Sequence, residues 1–336
     1  MRELEGTALT VSTTATRLVY ILAASHSGST LLSLLLGTHP EVCTVGELKA
    51  TSLGDVDTYL CSCTKPLKKC DFWTGLAQDL ALRGLPFDVG AGDTDFGSGQ
   101  SPYMRRLLRP LHRGPLLEGV RDVALRFSRS WRAHLERTQR LNAQLAATIC
   151  ARTGTRVIVD SSKTGTRLKY LLRNSGLEIR VLRLVRDGRA VALTYMDPHR
   201  YADATDPALR GGGTGWARHR GVPLVLAARQ WRRSQDEAAT LLRPLDPARW
   251  TTARYEDLCA DPDATLRRLF VFIGVTPRSV PSVLAPREHH VIGNGMRLDQ
   301  LVSPKLDERW RSALSATDLV AFDQVAGSTN RSLGYR

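Results

Sequence analysis

The chain has 336 residues, 42% of them hydrophobic and 6% aromatic, which is enough to bury one large α/β core and too apolar for a disordered or fibrous protein. Lys and Arg total 47 against 33 Asp and Glu, a formal charge of +14, which implies anionic partners without choosing among nucleic acid, a phospholipid surface and a phosphorylated small molecule. The basic residues form no long run, which counts against a nucleic-acid arm, and the apolar stretch 19–37 carries Ser25, His26, Ser27, Ser29 and Thr30, which counts against a signal peptide or membrane span.

Residues 1–16 lack apolar periodicity and read as a flexible tail, leaving 17–336 as a single domain. A β-rich run predicts a strand at 18–23, then a polar glycine loop at 25–30, then a buried helix closed by Gly37 ahead of Pro40. Residues 51–150 read as an irregular insertion. It is loop-rich at 84–119 and helical at 128–150, on the spacing of Trp131, Leu135, Leu141, Leu145 and Ile149. A strand at 156–159 runs into Asp160-Ser161-Ser162-Lys163, and a helix at 166–174 is closed by Gly176. A further strand at 178–185 ends in Arg186-Asp187-Gly188-Arg189, with a helix starting at 190–196. Residues 197–222 are rich in Gly and Arg and read as a lid. Helices are expected at 223–242, 264–273 and 316–326, a strand at 250–253 leading to Tyr255-Glu256-Asp257, and a polar loop at 289–298.

This alternation predicts an α/β fold, a P-loop-like parallel β-sheet flanked by helices on both faces with a loop- and helix-rich insertion. Such sheets bind ligands at the carboxyl ends of their strands. The polar clusters after Ala23, Val159 and Val185 and at Tyr255 all fall there.

The run Ala23-Ala24-Ser25-His26-Ser27-Gly28-Ser29-Thr30 compares with the nucleoside-triphosphate loop G-x-x-x-x-G-K-[ST]. Gly28 and Thr30 match, Ala23 replaces the first glycine, and Ser29 replaces the lysine that holds β- and γ-phosphates. Backbone N–H groups and a helix N-terminus still face an anion, so the loop suits a 5′ group shorter than a triphosphate, and a phosphosulfate fits. Arg186 closes a strand and Thr194 lies about two helical turns on, so a guanidinium and a hydroxyl can converge on a second phosphate.

Together these segments resemble the sulfotransferase superfamily that uses 3′-phosphoadenosine 5′-phosphosulfate (PAPS). Ser27-Gly28-Ser29-Thr30-Leu31-Leu32 is similar to the 5′-phosphosulfate loop of its bacterial members, and Arg186 with Thr194 to the 3′-phosphate motif, whose second residue is usually Ser. Val159-Asp160-Ser161-Ser162-Lys163, Arg254-Tyr255-Glu256-Asp257-Leu258, His290-Val291-Ile292-Gly293-Asn294 with Arg297, and the Cys61-to-Trp73 stretch resemble further family segments. The resemblance spans about residues 18–300 and leaves 80–150 unmatched.

The resemblance implies sulfuryl transfer from PAPS to a hydroxyl or amine acceptor by in-line displacement, releasing 3′,5′-adenosine bisphosphate. Ser25, His26, Ser27, Gly28, Ser29 and Thr30 would hold the phosphosulfate. Arg186, Thr194, Tyr255, Gly293, Asn294 and Arg297 would hold the 3′-phosphate and adenosine. Lys163 and His26, the latter standing where many members carry Lys or Arg, are candidates to donate to the leaving oxygen. Glu47 is the candidate base, by its spacing from the loop, with His26 an alternative.

No metal is expected at this site. Cys61, Cys63 and Cys70 suggest zinc or a disulfide, but three ligands with a C-x-C spacing depart from the usual structural zinc pattern, so reduced thiols are the expectation. The six cysteines form no secreted framework, which makes a cytoplasmic protein the default. Trp216, Trp231 and Tyr201 either shape an acceptor pocket or, for Trp231, pack in the core. The acceptor, a small molecule, saccharide or lipid, is left open, as is the oligomeric state, and no nucleic-acid partner is expected. A P-loop kinase would require a lysine at position 29, and a non-catalytic nucleic-acid binder would require clustered basic and aromatic residues.

Overall fold

A computed structural model of the chain describes residues 15–49, 53, 56–108, 115–202 and 221–336. Most of the expected tail and lid, with Trp216, lies outside the described residues. Five strands form one parallel sheet in the order β2-β3-β1-β4-β5. They are β1 (Thr16–Ala23), β2 (Val42–Thr44), β3 (Val157–Lys163), β4 (Leu177–Val185) and β5 (Trp250–Arg254).

The central strand shows why the sheet is covered on both faces. Leu18, Tyr20 and Leu22 of β1 join one buried cluster, and Val19 and Ile21 join another on the opposite face. A parallel strand buried on both sides reads as a continuous apolar run, which is how β1 reads.

The helices are α1 (Ser29–Gly37), α2 (Asp71–Leu82), α3 (Pro102–Leu107), α4 (Pro115–Phe127), α5 (Arg129–Thr153), α6 (Gly165–Leu171) and α7 (Gly188–Met196). They continue with α8 (Pro198–Tyr201), α9 (Leu224–Leu242), α10 (Tyr255–Ala260), α11 (Pro262–Ile273), α12 (Trp310–Ala313), α13 (Ala316–Phe322) and α14 (Ser328–Ser332). α1 and α11 pack on the Val19 face, and α2, α5 and α6 on the Leu18 face. Leu31, Leu32, Leu34, Leu35 and Leu36 are all buried, so α1 is apolar all round because it is enclosed all round.

Three features depart from the sequence reading. β3 continues through Lys163, with a shift of register against β1 between Tyr20 and Leu22, so Asp160 to Lys163 belong to the strand and not to a loop after it. The stretch expected to be irregular also holds α2, α3 and α4. The last predicted helix breaks after Phe322 into a π-turn, Asp323–Gly327, before α14. Trp231 is fully buried among α7, α9 and α13 residues and serves packing. Among the described residues no helix is long and apolar enough to cross a membrane.

Candidate functional site

The loop after β1 is shaped by two left-handed residues, His26 (φ 61) and Gly28 (φ 88). A Cβ on Gly28 would stand 2.5 Å from Tyr255 Cδ2, so only glycine passes beneath that ring. Leu32 N then donates to Gly28 O at 3.0 Å and α1 begins. Ser27, Ser29 and Thr30 are buried, and the Ser27 hydroxyl has no hydrogen-bond partner among the described residues. Leaving a buried donor unmade costs about 1–3 kcal/mol. At a helix N-terminus, where backbone N–H groups and the dipole favour negative charge, an anionic oxygen would satisfy it.

Neighbouring elements hold this loop. Ser25 hydrogen-bonds the Tyr195 hydroxyl, and burial, working against those bonds, pushes the phenol up to about 12. The Tyr195 ring meets His26 edge-on, with centroids 5.7 Å apart. Arg186, at the end of β4, is 1% exposed. Its Nη1 donates to His26 O at 2.8 Å, its Nη2 donates to Asp307 Oδ2 at 2.8 Å, and its guanidinium lies 4.3 Å from the Tyr255 ring centroid. Burial would raise the Asp307 carboxyl, but the Arg309 hydrogen bond and the Arg186 charge hold it down at about 2. Thr194 is buried on α7, and its hydroxyl donates to Ala190 O at 3.1 Å.

A second group forms at the end of β3. Lys163, itself left-handed (φ 69), pairs through Nζ with Glu47 Oε1, both side chains being mostly buried. Glu47 is placed by its backbone, because Glu47 N donates to Ile292 O at 3.1 Å and Ile292 N donates to Val45 O at 3.0 Å. Between them Gly46 (φ 81) allows this approach, since a Cβ there would lie 2.0 Å from Ile292 O. Gly293 packs on the Glu47 side chain, where its own Cβ would be 2.9 Å from Oε1. The Tyr59 hydroxyl donates to Gly293 O at 3.1 Å and accepts from Gly293 N at 2.8 Å. Arg297, 4% exposed, donates to Gly293 O at 2.6 Å and Leu60 O at 3.0 Å. Asn294 accepts from Met296 N at 2.9 Å and caps the turn.

Beneath this group lies a buried ion pair. Asp160 accepts from Arg167 Nε at 2.9 Å, Leu48 N at 3.2 Å and Ser162 N at 2.9 Å. Arg167 also donates to Thr94 O at 2.6 Å and Asn142 Oδ1 at 2.7 Å.

The sequence-predicted residues therefore fall into two sets. Ser25 to Thr30, Arg186 and Tyr255 gather around the loop, and Glu47, Lys163, Gly293 and Arg297 gather at the β3 end. With β1 between β3 and β4, the two strand ends are roughly 10 Å apart. A cavity of about 500 Å³ opens beside the loop, its lining including Gly28, Leu31, Tyr255, Met296, Lys305 and Asp307. Glu47 and Lys163 do not line it.

Tyr195, Asp307 and Tyr59 were missed by sequence reasoning. Tyr195 directly follows Thr194 and could have been read with it, whereas Asp307 and Tyr59 carry no spacing signal. His290 was read with the late loop, yet its Nδ1 lies within 4.8 Å of the Cys61, Cys63 and Cys70 sulfurs, so this group could hold a metal ion.

A model described as "Sulfotransferase family" matches residues 178–278, from β4 through α11 and the turn after it. Human carbohydrate sulfotransferase 5 is 29% identical over 180 residues, covering 49% of this chain and 42% of that protein. Human carbohydrate sulfotransferase 6 is 29% identical over 176 residues, covering 49% of this chain and 44% of that protein. The matched region thus spans less than half the length of these relatives. The solved sulfotransferase domain from the Synechococcus PCC 7002 olefin synthase superposes with a TM-score of 0.50 at 20% identity, over 96% of each chain, which shows a common fold. The family-model match and the human relatives support the sulfotransferase superfamily, and the solved domain shares the fold.

Proposed function

We propose that this chain transfers a sulfuryl group from PAPS to a hydroxyl group and releases 3′,5′-adenosine bisphosphate. The observation that carries this reading is a phosphate loop with no lysine of its own, flanked by cations from other strands. Ser29 opens α1 where a kinase needs lysine, while Arg186 at the β4 end and Lys163 at the β3 end supply the charge. The loop's backbone and the Ser27 hydroxyl would bind the phosphosulfate, and the adenosine would enter the cavity beside Tyr255. Arg186 and Thr194 would read the 3′-phosphate, with Arg297, Gly293 and Asn294 as further contacts to the nucleotide.

In the transfer, the acceptor oxygen forms a bond to sulfur as the bond from sulfur to the bridging phosphate oxygen breaks. Glu47 takes the acceptor's proton, and Lys163, with His26 from the loop, donates to the departing oxygen. The Glu47–Lys163 pair places a carboxylate and an ammonium together at the β3 end, available to these two roles. The names of the human relatives support a saccharide hydroxyl as acceptor. We place the protein in the cytoplasm, a reading supported by its free cysteines.

The test is thermal unfolding with 3′,5′-adenosine bisphosphate beside ATP with magnesium. At about a hundred times its Kd a ligand stabilises the fold by roughly 2.7 kcal/mol. Stabilisation by the bisphosphate, lost in Arg186→Ala, is the expected result. Stabilisation by ATP with magnesium alone would replace this reading with a kinase.

A further inference from the structure

We propose that Cys61, Cys63, Cys70 and His290 form a structural zinc site that staples the segment before α2 to the loop carrying Gly293. The Cys63 and Cys70 sulfurs are 3.6 Å apart, and those of Cys70 and Cys61 are 3.8 Å apart. His290 Nδ1 lies 3.4 Å from the Cys70 sulfur and 4.0 Å from that of Cys61. These separations are far too long for a disulfide, which needs about 2.05 Å. They lie within a few tenths of an ångström of a tetrahedral ion's, since sulfurs at about 2.3 Å and a nitrogen at about 2.0 Å from zinc lie about 3.5–3.8 Å from one another, and all four ligand atoms fall within 4.8 Å of each other.

Three separate pieces of backbone bring these atoms together. Cys61 and Cys63 sit in a tight turn closed by the Leu60–Pro66 bridge and by Cys61 N donating to Lys65 O at 3.0 Å. Cys70 is the residue that caps the start of α2. His290 comes from 220 residues further along the chain and holds a left-handed backbone (φ 50), unusual for a residue with a side chain. Its ring stacks on Phe72 with centroids 4.7 Å apart and planes 6° from parallel, and its carbonyl accepts from Trp73 Nε1 at 3.2 Å. The backbone N–H groups of Cys63 and Trp73 donate to the Cys61 and Cys70 sulfurs, as the outer contacts of a metal site do.

The donor set chooses the ion. Three sulfurs and an imidazole favour zinc over calcium or magnesium, and four protein ligands fill the tetrahedron, leaving no open position for chemistry. Three thiolates around a divalent ion carry a net charge of about −1. Lys65, paired with Asp71, is the nearby cation that the Cys63 and Cys70 charges act on. Cys61 and Cys70 are fully buried and Cys63 partly so, which keeps the site closed.

The staple reaches the candidate site through its neighbours. Ser62, between two ligands, donates from N to Val291 O at 3.1 Å and accepts from Val291 N at 2.8 Å. The next residue, Ile292, carries the backbone bonds that place Glu47. That consequence rests on the proposed function, whereas the metal site itself does not.

The full chain, purified under reducing conditions with zinc present and then desalted, should carry one equivalent of zinc by elemental analysis. X-ray absorption at the zinc edge should give three sulfur neighbours at about 2.3 Å and one nitrogen at about 2.0 Å. Replacing zinc with cobalt should give the ligand-field and thiolate charge-transfer bands of a tetrahedral site. His290→Ala should weaken zinc retention against a chelator by at least about tenfold. The two wild-type measurements stand even if the variant folds poorly. A zinc-exposed, reduced wild-type chain without stoichiometric metal, or a metal with oxygen neighbours in place of three sulfurs, would overturn the proposal.

Discussion

Arg186 Nη2 donates to Asp307 Oδ2 at 2.8 Å, so the guanidinium proposed for the 3′-phosphate is already engaged by a carboxylate. An arriving phosphate must displace Asp307 or share Arg186 with it. Arg186→Ala should therefore weaken 3′,5′-adenosine bisphosphate binding by roughly 10–100-fold, the worth of a charge-assisted hydrogen bond. Asp307→Asn removes the competing charge and should tighten it several-fold. Calorimetric titration of both variants checks the pair of signs. Weaker binding in both would make Asp307 a positioner of Arg186 and not its competitor.

The Glu47–Lys163 pair makes a separate prediction. Glu47→Gln keeps shape and removes the base, so turnover of a saccharide acceptor should fall by roughly 10²–10⁴-fold. Stabilisation by the bisphosphate should stay close to that of wild type, because Glu47 does not line the cavity beside the loop. Lys163→Ala should lower turnover as well. Bisphosphate release measured beside thermal shifts separates these effects, and unchanged turnover in Glu47→Gln would move the base elsewhere, with His26 next in line.

How legible the fold was depended on how local each signal was. β1 ends in an uninterrupted apolar run and β4 in Leu184-Val185, which Arg186 follows directly, so strand ends and cluster were visible together. β2 is three residues long and pairs with β3 alone, too short to show a period. Pro115 and Gly119 masked α4, although a proline at a helix start is compatible with helix. Lys163 and Glu47 were each named, but nothing in the sequence says that residues 116 apart form an ion pair. His290 as a partner of Cys70 was hidden for the same reason, because no spacing rule spans 220 residues. Asp307 acquires its role only when the chain after Met296 folds back over the loop.

The Asp160–Arg167 pair supports the site from below, since Asp160 also holds Leu48 N, next to Glu47, and Ser162 N, next to Lys163. Arg167→Met leaves a buried carboxylate without its cation, which costs about 3–5 kcal/mol. Chemical denaturation should show that loss. The variant that removes both charges, Asp160→Asn with Arg167→Met, should recover part of it, since breaking a buried pair is worse than deleting it. A loss in the single variant below about 1 kcal/mol would mean that water reaches Asp160.

Glu237 on α9 gives a pH signature of its own. Burial, helped by the negative charge of Glu118, raises its carboxyl to about 7, and its Oε1 has no hydrogen-bond partner among the described residues. The folded state thus holds a proton that the unfolded chain, with a carboxyl near 4.5, has given up. Between those two values the folded state binds more protons, so stability falls as pH rises and levels off above about 7. The full penalty is roughly 2–3 kcal/mol, allowing for partial exposure. Glu237→Gln stays neutral at every pH and should match wild type near pH 4 while exceeding it at pH 8, where the wild-type carboxylate is charged in both states. Paired denaturation curves across that range read the difference directly. Parallel curves would mean that the carboxylate finds solvent or a cation and carries no penalty.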